Sequence, residues 1–354
     1  MDDINMKKIN VLLVEDTAVQ RELISYLLES DPNIDVIARV NDGDEAIRIL
    51  ERIEPDVILM DVNMPNKNGF EASAEIMENY NIPIVLMSAT WDMTDIKKVV
   101  NNMELGVVTV INKPPGIGHP DFKTEAKKII DTVKDVSEIK VVRRKSGNKT
   151  TKRMGKIDYD IGVSKMPKII VIGSSAGGPP ALQSIICGLP SDFPVPILVV
   201  QHMTTGFNKV FTNWLDTLSL VNVVIASHDQ KPLPNYVYIA PDGHDMILDS
   251  LGNIRLYSTV LQPTVSSLFS SALKAYGKDC VSIMLSGMGR DGAAQMKELR
   301  DAGGVTIAQD KESSVVFGMP GEAVKIGGAL YQLPPQKILE YLKNISNNGL
   351  KDLL

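Results

Sequence analysis

The stretch from Ile169 to Leu182, IIVIGSSAGGPPAL, constrains the fold of this chain more than any other. Its first four residues are apolar and β-branched, which predicts a buried parallel strand. Small residues follow, and Pro179-Pro180 then favours the first turn of a helix. The segment therefore predicts a strand, a sharp turn and a helix, with small residues at the corner.

The turn carries the spacing Gly173-x-Ser175-x-Gly177, which fits a nucleophile elbow. In such a turn the serine hydroxyl is exposed above the strand, and the next backbone N–H helps to bind an oxyanion. A phosphate-binding loop is the alternative, because glycine-rich turns between a strand and a helix also bind nucleotides. The spacing matches neither G-x-G-x-x-G nor a P-loop, since no lysine follows the glycines. Taken alone, the segment leaves both interpretations open.

Length and composition indicate a folded protein of more than one domain. The 354 residues allow two domains with separate cores, and 44% of the residues are hydrophobic. No apolar run approaches the length of a membrane helix, and the first residues lack a secretory signal, so we expect a cytoplasmic protein without membrane insertion. The two cysteines, Cys187 and Cys280, have no metal or redox spacing.

Charge is spread unevenly along a chain whose formal net charge is −6. Residues 138–168 contain 10 basic and 3 acidic side chains and few large apolar ones. We therefore predict an exposed basic linker at 138–167, between a first domain at 8–137 and a second at 168–348. A nucleic-acid tether is the alternative, but the basic cluster at 143–153 contains no aromatic residue.

The first domain alternates strands and helices, which predicts a flavodoxin-like, doubly wound parallel sheet. In sheets of this class the ligand lies beyond the carboxyl ends of the strands. The predicted strands are 9–14, 36–40, 57–60, 84–87 and 107–111, and the predicted helices include 18–28, 45–53 and 122–136.

Polar residues follow four of these strands at their carboxyl ends. Glu15 and Asp16 follow the first strand, and Asp61 closes the third. Ser88 ends the fourth strand and Lys113 follows the fifth. Three carboxylates at one edge repel one another unless a cation lies among them, and carboxylate oxygens with waters suit Mg²⁺. Helix capping explains one such residue, whereas five at these places favour a site for Mg²⁺ and a phosphoryl group.

Residues 9–137 resemble a response-regulator receiver domain. The resemblance depends on four motifs in the right order, which are VEDT at 14–17, MDVNMP at 60–65 followed by Gly69, MSA at 87–89 and KP at 113–114.

The resemblance to receivers assigns a role to each polar residue at the sheet edge. It implies that Asp61 accepts the phosphoryl group, and that Glu15 and Asp16 hold Mg²⁺ together with Asp61. It also implies that Ser88 senses the phosphate and that Lys113 pairs with it. Receivers often carry Tyr or Phe three residues before this lysine, a position that is Val110 in this chain.

The second domain again alternates strands and helices, which predicts a Rossmann-like parallel sheet with a small β-hairpin. The predicted strands are 169–172, 195–200, 222–226, 237–240, 281–285 and 304–308, and the hairpin pairs 246–248 with 254–257. The predicted helices lie near 179–187, 207–217, 264–276, 291–301 and 335–345.

A serine nucleophile needs a base, and the base needs an orienting acid. Among four histidines, His202 is best placed, because it follows the strand next along the chain from Ser175 and consecutive parallel strands often pair. His228 also follows a strand, and a packing or surface role is the commoner one for any single histidine. Asp291, among glycines after strand 281–285, is the candidate acid. The alternative for Asp291 is an N-cap of helix 291–301.

Residues 169–345 resemble the catalytic domain of the chemotaxis protein-glutamate methylesterases, the CheB family. The matching segments are IGSSAGG at 172–178, QHM at 201–203, YIAP at 238–241, SGMGRDGA at 286–293 and VVFGMP at 315–320.

This second resemblance implies a reaction and its residues. Ser175 is implied as the nucleophile, His202 as the general base and then acid, and Asp291 as the orienting acid. The main chain near Ala176 and Met288 is implied as the oxyanion site. The implied substrates are glutamate methyl esters, and glutamine amides, of methyl-accepting chemotaxis receptors, and the implied phosphodonor is a chemotaxis histidine kinase. The esterase chemistry implies no cofactor.

The chain departs from the family pattern at two places. Ala176 stands where the family often has threonine after the serine. The family's Arg-Pro-Ser-Val-Asp becomes QPTVS at 262–266, so an arginine and an aspartate near the site are missing. The rival function is a receiver that drives a nucleic-acid-binding output. However, residues 169–354 carry 13 basic and 15 acidic side chains and show no helix-turn-helix pattern. No nucleic-acid partner is therefore expected.

Overall fold

The computed structural model describes residues 8–139, 166–259 and 262–351. The chain divides into two compact units, Met1–Ser146 and Gly147–Leu354, which are described separately below. The predicted linker at 138–167 falls almost entirely outside the described residues, so the predicted domain limits stay predictions. In the described part of the chain, no helix is both long enough and apolar enough to cross a bilayer.

The N-terminal unit is a five-stranded parallel sheet in the order β2-β1-β3-β4-β5. All five residues of β3 and of β4 are buried, as the β-branched and apolar sequences of these central strands predict. The strands are β1 Ile9–Val14, β2 Ile34–Val40, β3 Val57–Asp61, β4 Ile84–Ser88 and β5 Val107–Asn112. The helices are α1 Ala18–Glu29, α2 Gly43–Ile49, α3 Gly69–Asn79, α4 Met93–Leu105 and α5 Phe122–Ser137.

The strand order places the polar residues of this unit at one crevice. The chain runs from β1 outward to β2 and then crosses back to β3, so β1 and β3 flank the point where the order reverses. Loops that leave β1 and β3 diverge to opposite sides of the sheet, which opens a crevice at the strand ends. Glu15 and Asp61 lie at this crevice because each stands at the carboxyl end of one of these strands.

The C-terminal unit has a seven-stranded parallel sheet in the order β14-β13-β12-β6-β7-β9-β8. The strands are β6 Ile169–Ser174, β7 Ile197–Gln201, β8 Asn222–Ile225, β9 Tyr236–Ile239, β12 Cys280–Met284, β13 Val305–Gln309 and β14 Tyr331–Leu333. The helices are α6 Pro179–Ile186, α7 Phe207–Leu218, α8 Val265–Tyr276, α9 Ala293–Asp301, α10 Met319–Lys325 and α11 Pro335–Lys351.

The antiparallel hairpin pairs β10, His244–Leu248, with β11, Ile254–Ser258. It belongs to the core of this unit, because Met246 and Ile254 are fully buried among the side chains of α8 and the sheet. The hydroxyl of Ser271 on α8 accepts a hydrogen bond from the Leu248 N–H at 3.0 Å. The hairpin therefore packs directly against α8.

The predicted fold class is confirmed, since the chain contains two parallel α/β sheets and one small antiparallel hairpin. Several predicted limits were wrong by a few residues. Helix 45–53 ends at Ile49, and helix 291–301 begins at Ala293. The strand β14 and the helix α10 were not predicted, because three and seven residues give too short a pattern to read.

Candidate active site

Ser175 occupies the corner between β6 and α6. Its N–H donates to the Ser286 carbonyl at 3.0 Å, and its carbonyl accepts from the Gly178 N–H at 2.9 Å. The second bond closes a tight turn, in which Gly177 takes a φ of 68°, a conformation that favours glycine. The helix α6 then begins at Pro179. The predicted strand, turn and helix are therefore present, with the serine at the first position after the strand.

The glycine-rich turn packs against protein atoms. A Cβ added at Gly177 would lie 2.4 Å from Val315 Cβ, and one added at Gly178 would lie 1.9 Å from Ser174 Oγ. These close approaches explain why the turn needs glycine. They also disfavour the phosphate-binding alternative, because the space beside the glycines is filled by side chains.

Pairing between β6 and β7 brings His202 beside the serine. Ser174 is the register partner of Gln201, and the His202 N–H donates to the Ser174 carbonyl at 2.9 Å. Ser175 and His202 are therefore the next residues beyond one pair of neighbouring strand ends. No hydrogen bond joins the Ser175 hydroxyl to any described residue, as is common for catalytic hydroxyls before a substrate binds.

A buried glutamine ties these two residues together. The Gln201 side-chain Nε2 donates to the carbonyls of Ser175 and His202, both at 2.9 Å, and the residue is fully buried. Sequence reasoning gave this residue no role. The signal that could have found it is a large polar side chain closing an otherwise apolar strand.

Asp291 reaches His202 from the loop after β12. Its Oδ2 lies 3.2 Å from His202 Nε2 and also accepts from the Val265 N–H at 2.7 Å. Its Oδ1 accepts from the Ser266 N–H at 3.0 Å and from the Ser266 hydroxyl at 2.5 Å. The carboxylate therefore has four donors, three of which come from the N-terminus of α8.

The predicted alternative role for Asp291 was wrong in its detail. Helix α9 begins at Ala293, its N-cap is Gly292, and no side chain caps it. The Asp291 carboxylate instead caps α8, the helix before it in the chain, by accepting from the first two helical N–H groups. Partial positive charge at a helix N-terminus stabilises such an anion.

These contacts keep Asp291 ionised. Burial alone would raise the pKa of this carboxyl, but hydrogen bonds from His202, Ser266 and Val265 outweigh it and hold the pKa at about 2 instead of 3.8. Its side chain is 25% exposed and that of His202 is 17% exposed, so both groups lie at the surface of the site. An anion therefore faces the imidazole at any physiological pH.

Val265 locks the start of α8 against the strand ends. A Cβ added at Gly173 or at Gly292 would lie 2.3 Å from Val265 Cγ1 in each case. Gly173 belongs to β6, and Gly292 follows Asp291. The valine side chain thus fills a gap that two glycines leave, and its N–H is thereby placed against the carboxylate.

The loop after β12 also covers the elbow. A Cβ added at Gly287 would lie 2.8 Å from Ser175 Cβ, and the Ser286 hydroxyl donates to the Ala176 carbonyl at 2.8 Å. Among the described residues, no acceptor bonds to the N–H of Ala176 or of Met288. Two main-chain donors near the serine are thus available to a ligand.

The other histidines of this unit serve the hairpin. His228 Nδ1 accepts from the Leu256 N–H of β11 at 3.1 Å. His244 Nδ1 lies 3.0 Å from the Asp242 carbonyl oxygen, at the start of β10. His202 Nε2, by contrast, lies 3.2 Å from the Asp291 carboxylate, which the N-terminus of α8 holds in place.

In the N-terminal unit, the predicted acidic cluster is assembled. Glu15, Asp16 and Asp61 each offer a carboxylate oxygen, and these oxygens lie within 4.8 Å of one another. Lys113 Nζ lies 2.8 Å from Glu15 Oε2 and 2.9 Å from Asp61 Oδ2. Glu15 and Asp61 are buried, whereas Asp16 is exposed.

Burial raises the pKa of both Glu15 and Asp61 from their ordinary values, although hydrogen bonds from Lys113 oppose the shift. Repulsion between Glu15 and Asp61 adds to the shift for Glu15. Because the cluster has three carboxyl groups and Lys113 carries one positive charge, the ionised cluster has excess negative charge. A set of oxygen donors with that charge fits a hard divalent cation such as Mg²⁺.

The remaining predicted residues of this unit lie beside the cluster. The Ser88 hydroxyl donates to the Thr90 carbonyl at 2.6 Å, and the Ser88 carbonyl accepts from the Lys113 N–H at 2.9 Å. In the same loop, Trp91 Nε1 donates to Asn112 Oδ1 at 3.0 Å. The loop after β4 is therefore bonded to the end of β5, next to Lys113.

Comparison with known proteins places both units in described families. Residues 170–342 match the family model "CheB methylesterase", and residues 11–119 match "Response regulator receiver domain". A protein-glutamate methylesterase/protein-glutamine glutaminase of Nitrosospira multiformis is 45% identical over 95% of this chain and 97% of its own length. One from Geobacter metallireducens is 41% identical over 96% of this chain and 99% of its own length.

A solved structure, the CheB methylesterase catalytic domain of Thermotoga maritima, is 39% identical over 50% of this chain and 97% of its own length, with a TM-score of 0.47. The fold, the family models and these relatives define the chain as a two-unit α/β enzyme of the hydrolase class. Because these relatives match it over nearly their full length, the chain belongs to the CheB methylesterase family, in the form that carries a response-regulator receiver domain.

Proposed function

We propose that this chain hydrolyses the methyl esters of glutamate side chains on methyl-accepting chemotaxis receptors, and that it also deamidates receptor glutamines. The observation that carries the proposal is the Asp291 carboxylate, which holds His202 beside the elbow at Ser175. The names of the full-length relatives support the substrate class. We infer a cytoplasmic location, where the proposed receptor substrate and the proposed kinase phosphodonor would be met.

In the proposed reaction, the Ser175 oxygen attacks the ester carbonyl carbon while His202 takes the hydroxyl proton. Because Nε2 faces Asp291, the ring nitrogen that accepts this proton is Nδ1. Asp291 orients the ring and stabilises the imidazolium that forms. The free N–H groups of Ala176 and Met288 are the proposed donors to the oxyanion.

The tetrahedral intermediate then loses its methoxy group, which leaves as methanol with the proton from His202. A glutamyl ester of Ser175 remains. Water attacks this ester as His202 takes a proton, and the second intermediate releases glutamate and returns the proton to Ser175. For a glutamine substrate the same steps release ammonia instead of methanol.

Methanol release from methylated receptor membranes tests this mechanism. Ser175→Ala should lower kcat by about 10⁶, as for other triad nucleophiles. Ser174→Ala is a matched control, because its hydroxyl ends the same strand and has no hydrogen-bond partner in the described structure. Near-normal turnover of the Ser175 variant would contradict the proposed nucleophile.

The receiver part of the proposal is that Asp61 accepts a phosphoryl group from a chemotaxis histidine kinase and that this raises esterase activity. Glu15, Asp16 and Asp61 are the proposed Mg²⁺ ligands, and bound Mg²⁺ supplies positive charge that offsets the phosphoryl oxygens. Lys113 pairs with the same oxygens, and Ser88 turns its hydroxyl toward them. Burial raises the pKa of Asp61, and a bound cation would offset the cost of its buried negative charge.

Control by the receiver is tested by comparing the whole chain with a truncated one that begins at Met166. The truncated chain should be active without phosphodonor, since the unphosphorylated receiver is the proposed inhibitor. Chelation of Mg²⁺ should block activation of the whole chain and spare the truncated one. If the truncated chain is no faster than the unphosphorylated whole, the receiver acts by another route, such as recruitment to the receptor.

A further inference from the structure

Three of the four hydrogen-bond donors to the Asp291 carboxylate come from the start of α8. Two of the four donors to this carboxylate are main-chain N–H groups, from Val265 and Ser266. The third is the imidazole of His202. The fourth, the hydroxyl of Ser266, is the shortest contact of the set at 2.5 Å. It is also the one donor that a side-chain substitution can remove without touching the base or the main chain.

The hydroxyl of Ser266 has a fixed orientation. Its oxygen accepts from the Gly292 N–H at 2.9 Å, so its single proton is left to point at Asp291 Oδ1. The Ser266 hydroxyl is thus bonded both to the side chain of Asp291 and to the next main-chain N–H, that of Gly292. With Oδ1 held in this way, Oδ2 is the oxygen that faces His202 Nε2.

Capping of α8 does not explain the Ser266 hydroxyl. The N-cap of this helix is Thr264, whose hydroxyl accepts from the Ser267 N–H and donates to the Ser267 hydroxyl at 2.6 Å. The Ser267 hydroxyl and the Thr264 N–H then donate to Asp245 on the hairpin, at 3.2 Å and 2.7 Å. The N-cap side chain therefore belongs to a separate network, and the Ser266 hydroxyl is directed only at Asp291 and at the Gly292 N–H.

We propose that Ser266 is a positioning residue for the esterase reaction, whose hydroxyl fixes the Asp291 carboxylate so that its other oxygen orients His202. The inference rests on the proposed function, because it assigns the triad roles given above. Ser266 touches neither substrate nor reacting atoms in this scheme, and it transfers no proton. Hydrogen bonds to Asp291, including that of Ser266, also keep the pKa of the carboxyl low, which is consistent with a permanently charged partner.

Kinetics of methanol release by the full chain, with Mg²⁺ and a saturating phosphodonor, test this role. Ser266→Ala should lower kcat about tenfold with KM changed less than about twofold, because one charge-assisted bond that orients the base is lost. Ser266→Thr, which keeps a hydroxyl on the same Cβ, should restore most of the rate. Thermal unfolding of each variant checks that it is folded.

Ser267→Ala is the matched control. It removes a hydroxyl on the same helical turn, together with its bonds to Thr264 and Asp245, but leaves every contact of Asp291 in place. Its kcat should stay within about twofold of wild type. If Ser267→Ala loses as much kcat as Ser266→Ala, or if Ser266→Ala loses none, the positioning role is overturned.

A readout without substrate separates this inference from the proposed function. The proton between His202 Nε2 and Asp291 should give a downfield NMR signal, assigned by its loss in His202→Ala. Ser266→Ala should shift or broaden that signal, while Ser267→Ala should leave it unchanged. A wild-type chain that hydrolyses no methyl ester would overturn the proposed function, even if the signal shifts in Ser266→Ala. An unchanged signal in Ser266→Ala would overturn the inference alone.

Discussion

Gln201 donates a hydrogen bond from its side-chain amide to the main-chain carbonyl of Ser175, at 2.9 Å, from a fully buried position. The same nitrogen donates to the carbonyl of His202. One side chain thus fixes the peptide units of the proposed nucleophile and the proposed base. Leaving a buried carbonyl such as that of Ser175 without its donor costs about 1–3 kcal/mol.

Gln201→Met should therefore lower kcat for methanol release by about 10-fold or more and reduce the free energy of unfolding, because it keeps the volume of the side chain but removes both hydrogen bonds. Gln332→Met is the control, since this glutamine lies exposed on the short strand β14. Steady-state kinetics and urea unfolding measure the two effects. A Gln201 variant with wild-type kcat would mean that the bridge supports only the fold.

His202→Ala should be nearly as inactive as Ser175→Ala, whereas His228→Ala should keep most of its activity. The reason is that His202 faces Asp291 at 3.2 Å, while His228 Nδ1 accepts from the main chain of β11. Initial rates of methanol release measure both variants. An exchange of the two phenotypes would show that the base has been assigned to the wrong histidine.

The sequence predicted the strand ends better than the loops that meet there. Ser175 and His202 could be placed together, because consecutive parallel strands often pair, as β6 and β7 do. Asp291 could be found as an acid, but its contacts could not, because they depend on a helix that begins 26 residues earlier in the chain. For the same reason, no pattern pointed to Ser266, which the comparison of motifs marked only as a departure from the family.

Asp61→Asn should stabilise the N-terminal unit in the absence of divalent cations. Because burial raises the pKa of Asp61, the ionised carboxylate weakens the folded state at neutral pH, and wild-type stability falls as pH rises through the raised pKa. The amide removes this unfavourable contribution, and with it one proposed Mg²⁺ ligand.

Thermal unfolding with and without Mg²⁺ measures both effects of Asp61→Asn. The wild type should gain stability on addition of Mg²⁺, and the variant should gain much less. Asp56→Asn is a control that changes a carboxylate at the opposite end of the same sheet, where it accepts from the Asn10 N–H. Equal Mg²⁺ responses of wild type and Asp61→Asn would contradict the assigned ligands.

Phosphorylation of the receiver should change the fluorescence of Trp91. Its indole N–H donates to Asn112, and its loop also holds the Ser88 hydroxyl through the Thr90 carbonyl. If Ser88 turns to a phosphoryl group on Asp61, the loop loses that bond and Trp91 moves. The chain has one other tryptophan, Trp214, so Trp214→Phe isolates the signal. A phosphodonor should change the emission of this variant, and adding Asp61→Asn should abolish the change.

Acid should destabilise the C-terminal unit partly through Asp291. The pKa of this carboxyl is about 2 in the folded protein against an ordinary 3.8, so its contribution is complete above about pH 4 and is lost as pH falls toward 2. The difference corresponds to roughly 2 kcal/mol. Asp291→Asn should therefore show a shallower loss of unfolding free energy over that range, whereas the exposed Asp192→Asn should follow wild type.

Because Val265 fits between Gly173 and Gly292, a substitution at one of these three positions limits what the other two can accommodate. A methyl group on either glycine would overlap the valine, at 2.3 Å from Cγ1. In a library that varies these positions, single replacements at the glycines should fail, while some that pair alanine at Gly173 with a smaller residue at Val265 should survive. The effects of the paired substitutions on stability would then be non-additive, because the side chains at these positions share one space. Among relatives, the residues at these positions would therefore covary.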